Sequence, residues 1–74
     1  MAKIRLRDIE MVRAVMQEKN FSRAAEKLYI SQPALSQAIK RLEQEYHIVL
    51  FTRGSNSTNP TSAGQLFLEY GENV

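Results

Sequence analysis

Apolar residues between positions 21 and 42, FSRAAEKLYISQPALSQAIKRL, recur with the spacing of two short helices set close together. Counted from Phe21, they fall at the fourth, eighth, tenth, fifteenth and eighteenth places: Ala24, Leu28, Ile30, Leu35 and Ala38. The fifth place is Ala25, small enough to let two helices cross closely. Ser22 and Ser31 each stand where an N-cap hydroxyl is wanted. Pro33 falls in the first turn of the later helix, where its missing N–H costs nothing. Tyr29, Ile30 and Ser31 are left to form a tight turn, with Ile30 pinning it and Leu35 closing against Leu28. This is the spacing of a helix-turn-helix over residues 21–40.

The flanks extend the pattern. Residues 6–19 predict a first helix, with Leu6, Ile9, Val12 and Met16 on its buried stripe, Val15 beside them and Met11 pointing elsewhere. Asp8 and Glu10 in its first turn and Lys19 at its end suit the helix dipole. Phe21 is placed to fold back on the second helix as a hydrophobic staple. The third helix is expected from Gln32 to about Tyr46, buried along Leu35, Ile39, Leu42 and Tyr46, with His47 as its terminal cap. Residues 48–52, IVLFT, predict a short strand, and the polar stretch RGSNSTNPT after them predicts a turn or two-stranded wing. Thr61 is set to cap a last helix over residues 62–74.

The third helix turns Pro33, Ser36, Gln37, Lys40, Arg41 and Gln44 outward, side chains able to meet base edges or phosphates. On the last helix, Ala63, Phe67, Tyr70 and Val74 share a face, with Leu66 beside them. A domain of 74 residues has no room to bury them all, so this face is expected to be a partner surface.

Composition narrows the function. The chain is 43% apolar and 24% charged, as ordinary globular proteins are, and no apolar run approaches the roughly 18 residues of a membrane span. No signal-peptide pattern opens it. It has no cysteine, which excludes disulfides and thiolate metal sites and agrees with a cytoplasmic setting. One histidine cannot build a metal site, and no nucleophile–base or paired-carboxylate arrangement suggests an enzyme. No cofactor is expected. The net charge is +2, but all ten Lys and Arg lie at or before Arg53 against six acids there, leaving +4, while the remainder carries two acids. That asymmetry suits an anion-facing body with a neutral or acidic partner-facing end.

Four pieces of the chain resemble the N-terminal domain of LysR-type transcriptional regulators: Phe21-Ser22-Arg23-Ala24-Ala25, Ser31-Gln32-Pro33-Ala34-Leu35-Ser36, Leu50-Phe51-Thr52-Arg53 and Thr61-Ser62-Ala63-Gly64. The likeness covers nearly the whole chain. It implies a mainly α fold: a winged helix-turn-helix with a three-helix core and a short two-stranded wing over residues 4–61, then the start of a linker helix. It also implies sequence-specific binding of double-stranded DNA. On that reading Gln32, Pro33, Ser36 and Gln37 approach bases, while Ser22, Arg23, Ser31, Lys40, Arg41 and Arg53 hold the backbone. The last helix would pair with its twin through Ala63, Leu66, Phe67, Tyr70 and Val74, setting a homodimer on an interrupted inverted repeat. A small-molecule effector would belong to a further C-terminal domain that these residues do not include. Three residues depart from the family: Gln37 where many relatives have arginine, His47 where glycine is usual, and Pro60 where an apolar residue is usual, which shortens the return strand. Rival readings are another winged-helix DNA-binding family and a winged helix used for protein–protein contact.

Overall fold

A computed structural model describes residues 4–54 and 57–72. Four helices and one hairpin follow in order: α1 Leu6–Glu18, α2 Phe21–Leu28, α3 Gln32–Tyr46, β1 Phe51–Arg53, β2 Thr58–Pro60 and α4 Ser62–Glu72. The strands are antiparallel, with Phe51 opposite Pro60, Thr52 opposite Asn59 and Arg53 opposite Thr58. The return strand is three residues long and ends on Pro60. The first strand begins later than its apolar run suggested. Residues 48–50 are not in the sheet; Leu50 instead turns fully into the core, and the pairing across the hairpin starts at Phe51.

α1, α2 and α3 close around Val12, Val15, Leu35, Leu42 and Leu50, the largest fully buried side chains. Apolar burial of this kind is the main term holding so small a domain together. The stripe Leu35, Ile39 and Leu42 is buried as its period demands, with Tyr46 half-buried behind it. Two expectations for α1 fail. Leu6 is 75% exposed and Met11 is buried, because α1 presents its Ile9, Met11, Val12, Ala14 and Val15 arc to several neighbours, α2 and α3 with α4 and β2, rather than one narrow stripe to a single wall.

The helix ends explain the tight connections. Lys19, Tyr29 and His47 end α1, α2 and α3 in the left-handed region, with φ of 53°, 60° and 55°. None is a glycine, so each carries the strain of a Cβ in that region. The turn after α2 closes with the Ile30 N–H donating to the Ala25 carbonyl at 3.0 Å, and the turn after α3 repeats this from Ile48 to Glu43 at 3.1 Å. Ser31 caps α3, its Oγ accepting from the Ala34 N–H at 3.2 Å. Thr61 caps α4, accepting from Gly64 at 2.9 Å. Ser22 does not cap α2. Asn20 does, its Oδ1 accepting from the Arg23 N–H at 2.8 Å, and the helix starts two residues earlier than expected. Phe21 is therefore the first helical residue and not a staple before the cap.

α4 packs back on the body. Phe67, expected on a partner surface, is buried edge-on against Tyr46 with ring centroids 5.3 Å apart. Leu66 and Tyr70 remain exposed, while Ala63 is half-covered; Val74 lies outside the described residues. Arg13 of α1 pairs with Glu72 at 2.8 Å and ties down the far end of α4.

Burial, then the nearby charges of Glu45 and Asp8, raise the Tyr46 phenol above its ordinary value. A raised folded value means that the neutral form is favoured on folding. The stability this contributes is fully present below the ordinary phenol value of about 10 and is lost as pH rises through the folded one. The thermal midpoint should fall more steeply above about pH 10 in the wild type than in Tyr46→Phe. Parallel curves would show that Tyr46 does not ionise at the folded state's expense.

Candidate nucleic-acid interface

Three elements converge on one side of the molecule: the outer face of α3, the first turn of α2 and the wing. Along α3, Pro33, Gln37, Lys40, Arg41 and Gln44 are exposed, and Gln32 and Ser36 are half-buried at its start. The buried face of the same helix fixes this orientation, because Leu35, Ile39 and Leu42 point the other way. The large apolar side chains left exposed among the described residues are Leu6, Tyr29, Val49, Leu66 and Tyr70, and none lies on α3.

The polar side chains at the start of α3 are connected. Gln32 Nε2 donates to Ser36 Oγ at 2.8 Å, one helical turn apart. Arg53, from the wing, donates to the same oxygen through Nη2 at 3.3 Å. The Arg53 guanidinium carbon stands 4.3 Å from the centroid of the Phe21 ring, a cation–π arrangement. Phe21 in turn meets Phe51 edge-on at 6.1 Å. Arg53 thus lies along the protein surface between wing and α3.

The wing is held by a residue that sequence reasoning passed over. Glu43, on α3, accepts from the Leu50 N–H at 2.8 Å and from the Phe51 N–H at 3.5 Å. Its carboxylate ends the strand's approach and fixes β1 beside the helix. A glutamate three residues before a helix end gives no such signal by itself, because both donors come from a segment without a defined path until the core forms. Thr58 adds a second tie, its N–H donating to the Lys19 carbonyl at 3.2 Å.

The basic residues divide by what they already hold. Arg41 turns toward the start of α1, where its guanidinium pairs with Asp8 at 3.6 Å. Lys27 is engaged with Glu18 and Gln17, on the side of α1. Lys40 and Arg23 have no ion pair among the described residues, and both are exposed. Ser22 sits beside Arg23 in the first turn of α2, in a hollow shared with Lys19, Arg53 and Ser57. Ser31, although it accepts from Ala34, keeps its own hydroxyl hydrogen to donate.

Residues 6–65 match the family model of the bacterial regulatory helix-turn-helix protein, LysR family. The chain belongs to the LysR family. Among curated LysR-type relatives, a "Probable RuBisCO transcriptional regulator" of Trieres chinensis is 46% identical over 69 residues, covering 93% of this chain and 22% of the relative. Its namesake from Synechocystis sp. is 41% identical over 69 residues, covering 93% and 20%. The chain therefore spans about a fifth of the length of these regulators. Among solved structures, the BenM DNA-binding domain in complex with benA site 1 DNA superposes with a TM-score of 0.85 at 40% identity, covering 95% of this chain and 79% of that one. The CbnR DNA-binding domain in complex with DNA gives 0.86 at 30% identity, covering 95% and 80%. The fold is the winged helix-turn-helix of LysR-type DNA-binding domains.

Proposed function

We propose that this LysR-family chain binds double-stranded DNA in a sequence-specific manner, with α3 in the major groove and the wing toward the backbone or adjacent minor groove. The observation that carries this reading is the outward face of α3, polar along its length, bearing the cation Lys40, which has no ion pair among the described residues, and without an exposed large apolar anchor. A protein-docking helix needs such anchors; a groove-reading helix needs hydrogen-bonding side chains. Gln32, Pro33, Ser36 and Gln37 approach base edges. Glutamine pairs bidentately with adenine, and Pro33 can touch a thymine methyl. Ser22, Arg23, Ser31 and Lys40 approach phosphates, which set register and affinity without reading sequence. Arg41 reaches the backbone only by leaving Asp8.

One helix reads few base pairs, so the domain acts as a pair on an interrupted inverted repeat. The exposed Leu66 and Tyr70 of α4, with Ala63 beside them, supply the surface for a second copy. Regulation of transcription by a small-molecule effector, through a domain outside these 74 residues and in the cytoplasm, completes the reading by the family's pattern. No helix among the described residues is long and apolar enough to cross a membrane.

The test is a fluorescence-anisotropy titration with a random duplex pool at several salt concentrations, followed by sequencing of the bound fraction. A steep salt slope with an enriched half-site or inverted repeat is expected; no binding at low salt would overturn the proposal. Lys40→Ala should weaken all duplexes alike and reduce the log–log salt slope by about 0.9, one phosphate's worth. Relaxed preference at a single base pair would instead make Lys40 a base reader.

A further inference from the structure

Resting on α3 as the reading helix, we propose that Arg53 is a positioning residue. It stays docked on α3 when DNA binds and commits the Ser36 hydroxyl to act as a hydrogen-bond donor toward a base. The chemistry follows from counting. A serine hydroxyl has one hydrogen to donate and two lone pairs to accept with. Gln32 Nε2 and Arg53 Nη2 both donate to Ser36 Oγ, at 2.8 Å and 3.3 Å, which occupies both lone pairs. A guanidinium has donors only, so this contact has a fixed direction. What remains to Ser36 is its single O–H.

Ser36 therefore addresses an acceptor on a base edge: purine N7, guanine O6 or thymine O4. It turns away from the cytosine amino group, which offers only a donor. Gln32 keeps its second amide hydrogen and its carbonyl oxygen, the pair needed for a bidentate contact with adenine. A serine without these two donors would both donate and accept and would discriminate poorly.

The position of Arg53 is over-determined from the protein side. Its guanidinium lies against the Phe21 ring at 4.3 Å, and Phe21 is itself buried and braced by Phe51. The strand bearing Arg53 is pinned through Glu43 to α3. An arginine used as a phosphate clamp would give up the ring and the hydroxyl to extend outward. Its role in the proposal is instead to carry the wing's position into the reading end of the helix.

The experiment selects binding sites from a random duplex pool with the wild-type chain, Arg53→Gln, Arg53→Lys, Ser36→Ala and the Arg53→Gln/Ser36→Ala double variant. Salt slopes are measured for each. Arg53→Gln should lose about fivefold or more of the preference at one base pair and leave the salt slope unchanged. Ser36→Ala should lose preference at the same base pair, and the double variant should lose no more. Arg53→Lys, which retains a donor and a cation over Phe21, should restore part of the preference. The inference is overturned if Arg53→Gln keeps the preference and reduces the salt slope by about 0.9, since Arg53 is then a phosphate contact. It is also overturned if the Arg53 and Ser36 losses add, or fall on different base pairs. A wild-type chain that binds without any preference would defeat the base-reading proposal itself.

Discussion

Gly64→Ala is expected to lower the thermal midpoint of the domain by on the order of 10 °C or more. A Cβ at Gly64 would press on the Leu50 carbonyl oxygen well inside van der Waals contact and stand 3.1 Å from its carbon. Neither side has room to give. Leu50 is fixed by its buried side chain, by the Glu43 carboxylate on its N–H and by the Thr61 N–H on its carbonyl at 3.0 Å. Gly64 is fixed because its N–H closes the Thr61 cap of α4, and the Thr61 hydroxyl donates in turn to the Val49 carbonyl. Overpacking of backbone against backbone must therefore move α4 bodily, at about 3 kcal/mol or more.

Gly71 makes the contrast. A Cβ there meets Ile9 Cδ1, the far end of a flexible side chain, so Gly71→Ala should cost less, and Ile9→Val in the same chain should recover most of the loss. Thermal denaturation followed by circular dichroism measures all three. A Gly64→Ala midpoint within about 2 °C of wild type, on the scale of about 4–8 °C per kcal/mol for a domain of this size, would mean that α4 is not clamped at its start.

Gln37→Arg is expected to move the preferred base at one position of the bound site from adenine toward guanine. Gln37 is exposed on α3 one helical turn from Pro33 and beside Lys40 in the i,i+3 relation. Its amide offers one donor edge and one acceptor, matching adenine N7 and N6, whereas a guanidinium offers two donors and matches guanine O6 and N7. Discrimination of about 1–3 kcal/mol per bidentate contact corresponds to roughly 5- to 150-fold in relative affinity. Sequencing of selected duplexes reads the change directly. An unaltered preference at every base pair would remove Gln37 from the list of readers, and a uniform gain in affinity would mark the new arginine as a phosphate contact.

Asn20, not Ser22, caps α2, two residues before the position that the local pattern points to. Asparagine is as good an N-cap as serine, so capping chemistry alone does not choose between Asn20 and Ser22. The difference lies in Phe21, which is the first residue of the helix and not a staple before it. Its ring packs edge-on against Phe51, thirty positions on, a contact that no local pattern announces. Glu43 is a similar case: its partners are backbone N–H groups of the wing, and no side-chain pattern announces them. Arg41 and Arg53 carry charges that are plain in the sequence, but their directions depend on Asp8 from α1 and on Phe21 and Ser36 from α2 and α3.

What the sequence determined by itself is the set of features made by interactions three or four residues apart. The α3 bounds, its Ser31 cap and Pro33 start, the Leu35–Ile39–Leu42 stripe and the Thr61 cap are all of this kind. Local periodicity and capping act within one turn of helix and need no partner to be read. Tertiary structure decided which exposed-looking residues are buried and where the cations aim. Phe67 and Met11 went inward and Leu6 outward, Arg41 was drawn to Asp8, and Arg53 was laid across Phe21 onto Ser36. Those outcomes depend on surfaces contributed by distant parts of the chain. A contact between residues tens of positions apart has a direction only once the core has set the elements side by side.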